Sequence, residues 1–510
     1  MIMSIRSLLC ISFLLLSGAS VTFSADGFVR VKDGKIYAGN KRIKSWGVNL
    51  NCDRLKSHKQ VRAIAKRIKA MGFNAVRFWP NSDNMYAKDA TTVRKFKKYK
   101  KGDCSRFDLY DYMIYCLKKE GIWVRLPVIE CLPKKHFGVN DYNVIPVKPG
   151  EKNQKNAWIK GIRQSSRHVS HLWYVDERCQ ALMKEHISNW LNHVNPYTGI
   201  RNAEEPILAL YELHNEDDFA STFFWWYSAW SPYFRNKFQQ KWKAFLKKKY
   251  GSASKYVFMP KKGKSAKEAW RRFIYKLMGD YNSSMIKHIR THAPKGVGCN
   301  VVPVTVDTIG RQSLRTFYPS MVGDYVSVSM YVNGTTANKK DPYYPWMMYV
   351  SKPPSFTNTN GVGPDGIQLK DKPHILYETN ELKPARYRAE YPMRMAVYGS
   401  WQDWDGVFFY IFINKTPEEG MIYKNEDFPT HMLGVSHAKS AWYGSHLATD
   451  EVMLSQFKAA GALFLNKYIK PAKNPTIFTF GKKAIFGKKS EKYLNGRITQ
   501  RGQHLPPVHP

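Results

Sequence analysis

Two short runs in this 510-residue chain set carboxylates among polar partners at the ends of apolar stretches. One is Tyr211-Glu212-Leu213-His214-Asn215-Glu216, and the other is His374-Ile375-Leu376-Tyr377-Glu378-Thr379-Asn380. Two carboxyl groups facing one bond are what acid-assisted displacement at an acetal carbon requires. One group, kept protonated by its surroundings, gives its proton to the leaving oxygen while the other attacks the anomeric carbon. When configuration is retained, the pair stands about 5–5.5 Å apart. A lone Asn-Glu dipeptide is weak grounds for this chemistry. Asn215-Glu216 at the end of one buried strand, with Tyr377-Glu378 at the end of another, is a stronger signal. Glu212 alternates with Glu216 along its strand and is the rival for the acid role.

The elements that must position these residues alternate along the chain. Short strands occupy 28–46, with Asp33-Gly34 and Gly39-Asn40 as turn signals, and the last of them runs into Trp46-Gly-Val-Asn-Leu. Ser57 is placed to cap a helix whose apolar residues Val61, Ile64, Ala65, Ile68 and Met71 recur at the helical period, with Gly72 as its stop. A strand at 73–79 follows, then a helix over 109–119, a strand at 122–129, and a long polar loop over 133–172. A helix over 176–194 precedes the near-continuous apolar strand 206–213, a pattern that suits burial on both faces. Ser231-Pro232 opens a further helix in capping and first-turn positions. Another helix covers 267–291. Strands at 297–303, 324–331, 373–378 and 406–412, with a helix over 388–402, complete about eight strand–helix units. Eight such units predict an α/β fold, a (β/α)8 TIM barrel, with an N-terminal β-hairpin and a C-terminal helical and basic extension. An open doubly wound sheet is the competitor, and the lack of a glycine-rich phosphate loop after the early strands weighs against it. Barrels carry their working residues at the C-terminal ends of the strands, which is where both glutamate runs fall.

On these motifs the sequence resembles the clan A glycoside hydrolases, particularly the family 5 cellulase and mannanase type, over roughly residues 28–412. The resemblance implies Glu216 as acid/base after Asn215 on strand four, and Glu378 as nucleophile ending strand seven. It implies that Arg77, in Val76-Arg77-Phe78-Trp79, touches the nucleophile, and that Tyr331, closing Val326-Ser-Val-Ser-Met-Tyr331, hydrogen-bonds it. Asp403-Trp404-Asp405-Gly406 looks like the run into strand eight. Two departures concern the sugar subsites. Many clan members carry His two residues before the strand-six Tyr, where this chain has Ser329. Many also end strand eight in Trp, where this chain reads Phe408-Phe409-Tyr410-Ile411-Phe412. Arg77 is expected to keep Glu378 ionised, while burial and nearby negative charge are expected to keep Glu216 protonated. Asn215 is a candidate partner for the substrate 2-hydroxyl, and Trp79 joins it as a substrate-binding candidate. His214 reads as an orienting or core histidine. Trp225 and Trp226, within Phe223-Phe224-Trp225-Trp226-Tyr227 and followed by Trp230, are candidate sugar-stacking rings on a barrel-top loop. Tyr343-Tyr344-Pro345-Trp346 has the same double reading, as sugar platform or loop packing.

Residues 1–24 read as a signal peptide: Arg6, the apolar run Leu8–Leu16, then small residues and cleavage near Ser24–Ala25. That run is shorter than the roughly 20 residues a bilayer span needs, so a secreted or periplasmic protein without a membrane span is expected. The catalytic barrel is assigned to 25–435, and 436–510 to a C-terminal helix and basic tail packed on or trailing it. The remaining cysteines form no CxxC pairs, so a zinc site is not expected. Cys104 with Cys131 is a plausible disulfide, and isolated buried thiols are the other reading. Neither a metal nor an organic cofactor is required. The net charge of +40 attracts polyanions, an anionic or sulfated polysaccharide among them. Charge alone would equally suit nucleic acid, but the leader argues against it. The leading reading is a retaining hydrolase of β-glycosidic bonds in a poly- or oligosaccharide. The alternative is a catalytically inactive carbohydrate-binding barrel at the cell surface, which would have no use for the full set of Glu216, Glu378, Asn215, Arg77 and Tyr331.

Overall fold

A computed structural model of the protein describes residues 27–51, 55–79, 96–128, 139–151, 153–165, 171–216, 219–252, 256, 258–259, 264–292, 304–305, 318–331, 368–381, 388–413, 447–473, 478–479, 485–486 and 508–509. The expected leader, Cys131, the expected strand at 297–303 and the Tyr343–Trp346 run lie outside them.

Eight parallel strands form one sheet: β1 (Ser45–Asn51), β2 (Ala75–Trp79), β3 (Trp123–Pro127), β4 (Leu208–Glu212), β5 (Val304–Thr305), β6 (Val326–Tyr331), β7 (His374–Asn380) and β8 (Gly406–Ile413). Their order is β5-β4-β3-β2-β1-β8-β7-β6, so β1 pairs with both β2 and β8. Chain order is thus preserved around a circle, which rules out the doubly wound alternative. The fold is an α/β TIM barrel. Across the interior, the Tyr325 hydroxyl donates to the Tyr211 carbonyl (2.9 Å), and Arg125 Nε donates to the Tyr325 hydroxyl (3.2 Å), tying β3 and β4 to the start of β6.

Among the described residues nine α-helices surround the sheet: α1 (His58–Ala70), α2 (Arg106–Lys119), α3 (Gln154–Gln164), α4 (Glu177–Asn192), α5 (Phe219–Ala229), α6 (Pro232–Tyr250), α7 (Lys264–Arg290), α8 (Glu390–Trp401) and α9 (Glu451–Leu465). The Ser57 side chain caps α1, whose Val61, Ile64, Ala65 and Ile68 are buried, as the helical period requires. α2 begins three residues before its apolar pattern does. Ser105 accepts from the Asp108 amide there, so a cap rather than periodicity sets its start. The segment expected to be one long polar loop contains α3. Its Trp158, Ile159 and Ile162 bury a narrow stripe within an otherwise basic run, too short a signal to stand out. The last helix starts at Asp450, whose side chain accepts from the Met453 amide, well after the expected start at 436.

Two apolar layers result. Between strands and helices lies the larger one, which includes Val48, Val76, Val124, Leu376 and Val407. The second fills the barrel itself, where Ala75, Trp123, Leu210, Tyr325, Ile375, Tyr377 and Phe408 meet Val29 and Ile36 of the entrance hairpin, Val29–Lys32 paired with Lys35–Ala38. Asp33 and Gly34 both adopt positive φ (49° and 67°), as the tight turn between these strands demands. The hairpin therefore plugs the end of the barrel where the strands begin. It is pinned there by ion pairs of Lys35 with Asp403 (2.7 Å) and of Arg42 with Asp403 (2.8 Å) and Asp405 (3.1 Å). Burial raises the Asp405 carboxyl above its usual range while Lys35 and Arg42 pull the other way, and burial pushes the neighbouring Lys44 amine down to about 8. α9 seals the outside of β1, where the Trp46 indole donates to the Phe457 carbonyl (3.2 Å).

Gly47 sits where β1 passes close to its neighbours in the barrel. A Cβ there would lie 2.5 Å from the Phe408 ring and 2.9 Å from the Ala75 carbonyl oxygen, which is backbone and cannot swing aside. Gly47→Ala should therefore cost about 1–3 kcal/mol, read as a lowered denaturation midpoint with unchanged slope.

Candidate functional site

The polar centre of the barrel is built from residues that point inward from β1, β2, β3, β4, β6 and β7. Arg77 on β2 is completely buried and uses its whole guanidinium. Nε and Nη2 donate to Glu212 (2.8 and 2.5 Å), Nη1 donates to Asn49 Oδ1 (3.0 Å) and Glu378 Oε1 (2.5 Å), and Nη2 also reaches Asn215 Oδ1 (2.9 Å). Glu212 in turn pairs with Arg125 on β3, whose Nη2 donates to Ser327 (2.9 Å). The Trp79 ring lies over Arg77 at 4.4 Å and the Tyr377 ring at 4.7 Å. Charge-assisted contacts of this kind hold a buried guanidinium in one orientation.

Glu378 reaches this centre through an irregularity of the strand. In the β6–β7 register Val328 faces Leu376 but Ser329 faces Glu378, and in β7–β8 Leu376 faces Val407 while Thr379 faces Phe409. Both ladders thus skip one residue of β7 at the same place, a β-bulge. Side chains of a regular strand alternate between faces. Here the bulge turns two consecutive residues inward: Tyr377 packs in the barrel interior, and Glu378 meets Arg77. β4 carries the same device, since Val124 pairs with Leu208 but Arg125 with Leu210, and Glu212 thereby faces the interior.

The structure places the expected residues unequally. Arg77, Asn215, Glu378 and Trp79 come together around one guanidinium. Glu216 follows directly, at the end of β4, in left-handed backbone (φ 50°). Non-glycine residues rarely occupy that region, and those that do cluster at functional sites. Glu216 is exposed, so the burial expected to keep it protonated is not provided by the unliganded chain. Glu212, the rival acid, is fully buried against two guanidiniums and accepts hydrogen bonds on both oxygens, an arrangement for anchoring positive charge rather than giving up a proton. Tyr331 ends β6 opposite Asn380, and its side chain lies outside the described residues.

His214 is a packing residue. Its ring stacks on Trp173 (4.6 Å, 9°) and lies near Tyr281 (5.5 Å). The aromatic run expected on a loop is instead α5, and its described rings mostly bury between helices: Phe223 stacks on Phe238 (4.8 Å), and Trp226 packs on His171 (4.3 Å). A helix forms here because every third or fourth ring meets α6 and α7. The side chain of Trp225 lies outside the described residues. Three members of the centre were not singled out from the sequence for a role: Asn49, Arg125 and Ser327. Asn49 Nδ2 donates to the carbonyls of Tyr377 (3.0 Å) and Phe409 (3.2 Å), bracing the bulge. Cys104 carries a free thiol, and Cys131, the disulfide partner considered for it, lies outside the described residues. No helix among the described residues is long and apolar enough to cross a membrane.

No family model matches the chain, and no curated protein matches it. Among solved structures the chain is similar to the endo-1,4-beta-mannanase from Rhizomucor miehei (13% identity over 85% of this chain and 99% of that one, TM-score 0.47). It is also similar to the endo-beta-1,4-mannanase from Thermotoga petrophila (17%, 84% and 78%, 0.44) and to the beta-galactosidase from the psychrophilic Marinomonas ef1 (10%, 87% and 64%, 0.48). At such identities a functional reading has to rest on the site's own residues.

Proposed function

We propose that this chain is a retaining glycoside hydrolase that cleaves β-linked poly- or oligosaccharides, with Glu378 as nucleophile and Glu216 as acid/base. One observation carries the reading: a single buried guanidinium, Arg77, donates to Glu378 at the end of β7 and to Asn215, the neighbour of Glu216, at the end of β4. The fixed positive charge favours the ionised form of a group that must attack as a carboxylate. In the first step a Glu378 oxygen bonds to the anomeric carbon, the glycosidic C–O bond breaks, and the leaving oxygen takes the Glu216 proton. The ester then has no charge on Glu378. Glu216 accepts a proton from water, whose oxygen displaces Glu378, and both carboxyls return to their starting states. A sugar lying across the β4 and β7 ends would supply the desolvation that exposed Glu216 otherwise lacks. Asn215, with its Oδ1 engaged by Arg77, keeps its amide hydrogens for the sugar 2-hydroxyl.

The net charge of +40 favours anionic glycans over neutral β-glucans or mannans as the natural polymer. The apolar run Leu8–Leu16 near the N-terminus supports action outside the cytoplasm. The test is trapping with activated 2-deoxy-2-fluoro β-glycosides across several sugar configurations, followed by peptide mass spectrometry. The expected result is one label, on Glu378. Absence of label and of turnover on a panel of neutral, uronate-bearing and sulfated polymers would favour the carbohydrate-binding alternative, and a label on Glu212 would reverse the assignment.

A further inference from the structure

We propose that His58, Cys104 and Asp108 form a zinc-type divalent metal site joining the first turn of α1 to the chain that enters α2. Among the described residues these are the three side chains of metal-ligating type that converge, with one ligand atom from each within 4.8 Å of the others. Both helix starts follow the C-terminal ends of their strands, so the site lies at the same end of the barrel as Glu378, outside the Arg77 centre.

The surroundings hold the ligands ready. Asp108 is completely buried, and its Oδ1 accepts from the Gly102 amide (2.8 Å) and from the Tyr197 hydroxyl. That leaves Oδ2 directed at His58 Nε2 (2.7 Å) and the Cys104 amide (3.0 Å). Outer hydrogen bonds that fix a ligating carboxylate in this way are the usual support of a metal site. Tyr112 packs against the His58 ring at 4.0 Å and restricts its rotation. Cys104 adopts φ 54°, a backbone region that a non-glycine residue occupies only at some energetic cost, and the hydrogen bond of its amide to Asp108 holds it there. Its thiol is free and half-buried.

Thiolate, imidazole and carboxylate together suit zinc and disfavour magnesium or calcium, which prefer all-oxygen shells. Zinc–ligand bonds of about 2.0–2.3 Å at tetrahedral angles set ligand atoms about 3.3–3.7 Å apart, so His58 Nε2 and Asp108 Oδ2 must part slightly from 2.7 Å, with the Cys104 thiol already within 4.8 Å of both. The ion takes the place of the hydrogen between His58 Nε2 and Asp108 Oδ2. The imidazole proton moves to Nδ1, the thiol proton leaves to solvent, and water fills the fourth position, within reach of the Tyr197 hydroxyl.

The experiment uses the full chain stripped with chelator, titrated with Zn²⁺ by calorimetry and with Co²⁺ by absorbance, beside Cys104→Ser and His58→Asn. Expected are one tight Zn²⁺ equivalent, affinity reduced at least about tenfold in each variant, and a cobalt–thiolate charge-transfer band that Cys104→Ser abolishes. Retention of wild-type circular dichroism by Cys104→Ser, or by Cys104→Ala in its place, separates ligand loss from misfolding. A wild-type chain without the cobalt–thiolate band, or a Cys104→Ser affinity within a factor of about ten of wild type, overturns the proposal. Neither arm depends on glycosidase activity.

Discussion

Glu378→Gln should lower turnover by at least a factor of about 10³ while leaving a folded protein, as removal of a covalent nucleophile does elsewhere. The substitution is chosen for what it keeps. A glutamine oxygen still accepts the Arg77 Nη1 hydrogen bond, so the barrel centre retains its donors and acceptors. The amide cannot attack the anomeric carbon, and the loss therefore falls on kcat rather than on stability. The measurement is kcat and kcat/KM on the best substrate of the glycan panel, with the thermal midpoint recorded alongside. A near-normal rate at a normal midpoint would remove Glu378 from the mechanism. Glu212→Gln separates the rival: it should lower the midpoint far more than Glu378→Gln does, because Glu212 stands between two buried guanidiniums.

Arg77→Met should cost about 3–5 kcal/mol, the typical effect of removing one partner from a buried charge pair. Arg77 is the cation that Glu212 and Glu378 share, and both carboxylates are buried. Taking it away leaves both Glu378 and Glu212 without this counter-charge, and Glu212 then depends on Arg125. Urea denaturation of wild type, Arg77→Met and Arg77→Met/Glu212→Gln checks this. The second change should recover part of the loss, since it removes one of the stranded charges, and the coupling between the two sites should be well above experimental error. A single-variant loss under about 1 kcal/mol would mean that water or a rearranged Arg125 compensates, and that the network does not hold the barrel centre together.

Much of this architecture was legible in the residue pattern. Strand–helix alternation, the Ser57 cap and the Asp33-Gly34 turn are local properties, and they recur in the fold where they were expected. Glu378 was legible as the carboxylate closing an apolar strand and Arg77 through the resemblance of Val76-Arg77-Phe78-Trp79 to the clan A motif, and each is a charged residue set in an apolar strand. The same signal was present in Asn49 and Arg125, each a polar residue within an apolar strand, but their partners come from distant strands and no spacing rule names them. α3 and α5 were misjudged for opposite reasons. α3 has too few apolar residues to display a period, whereas α5 has so many aromatic ones that no polar face marks its helical repeat. The exposure of Glu216 was illegible because it depends on what covers the end of β4, a matter of tertiary arrangement.

The extra residue in β7 has a consequence for how such chains diverge. Which side Glu378 faces is set by the bulge, not by its own identity: were Leu376, Tyr377 and Glu378 to alternate strictly, Tyr377 would still face inward and the Glu378 carboxylate would turn toward the helix layer. A substitution elsewhere that abolished the bulge without removing a residue would leave the glutamate in the gene and take it out of the cavity, so kinship judged by the letters alone would keep scoring as intact a protein that had gone silent.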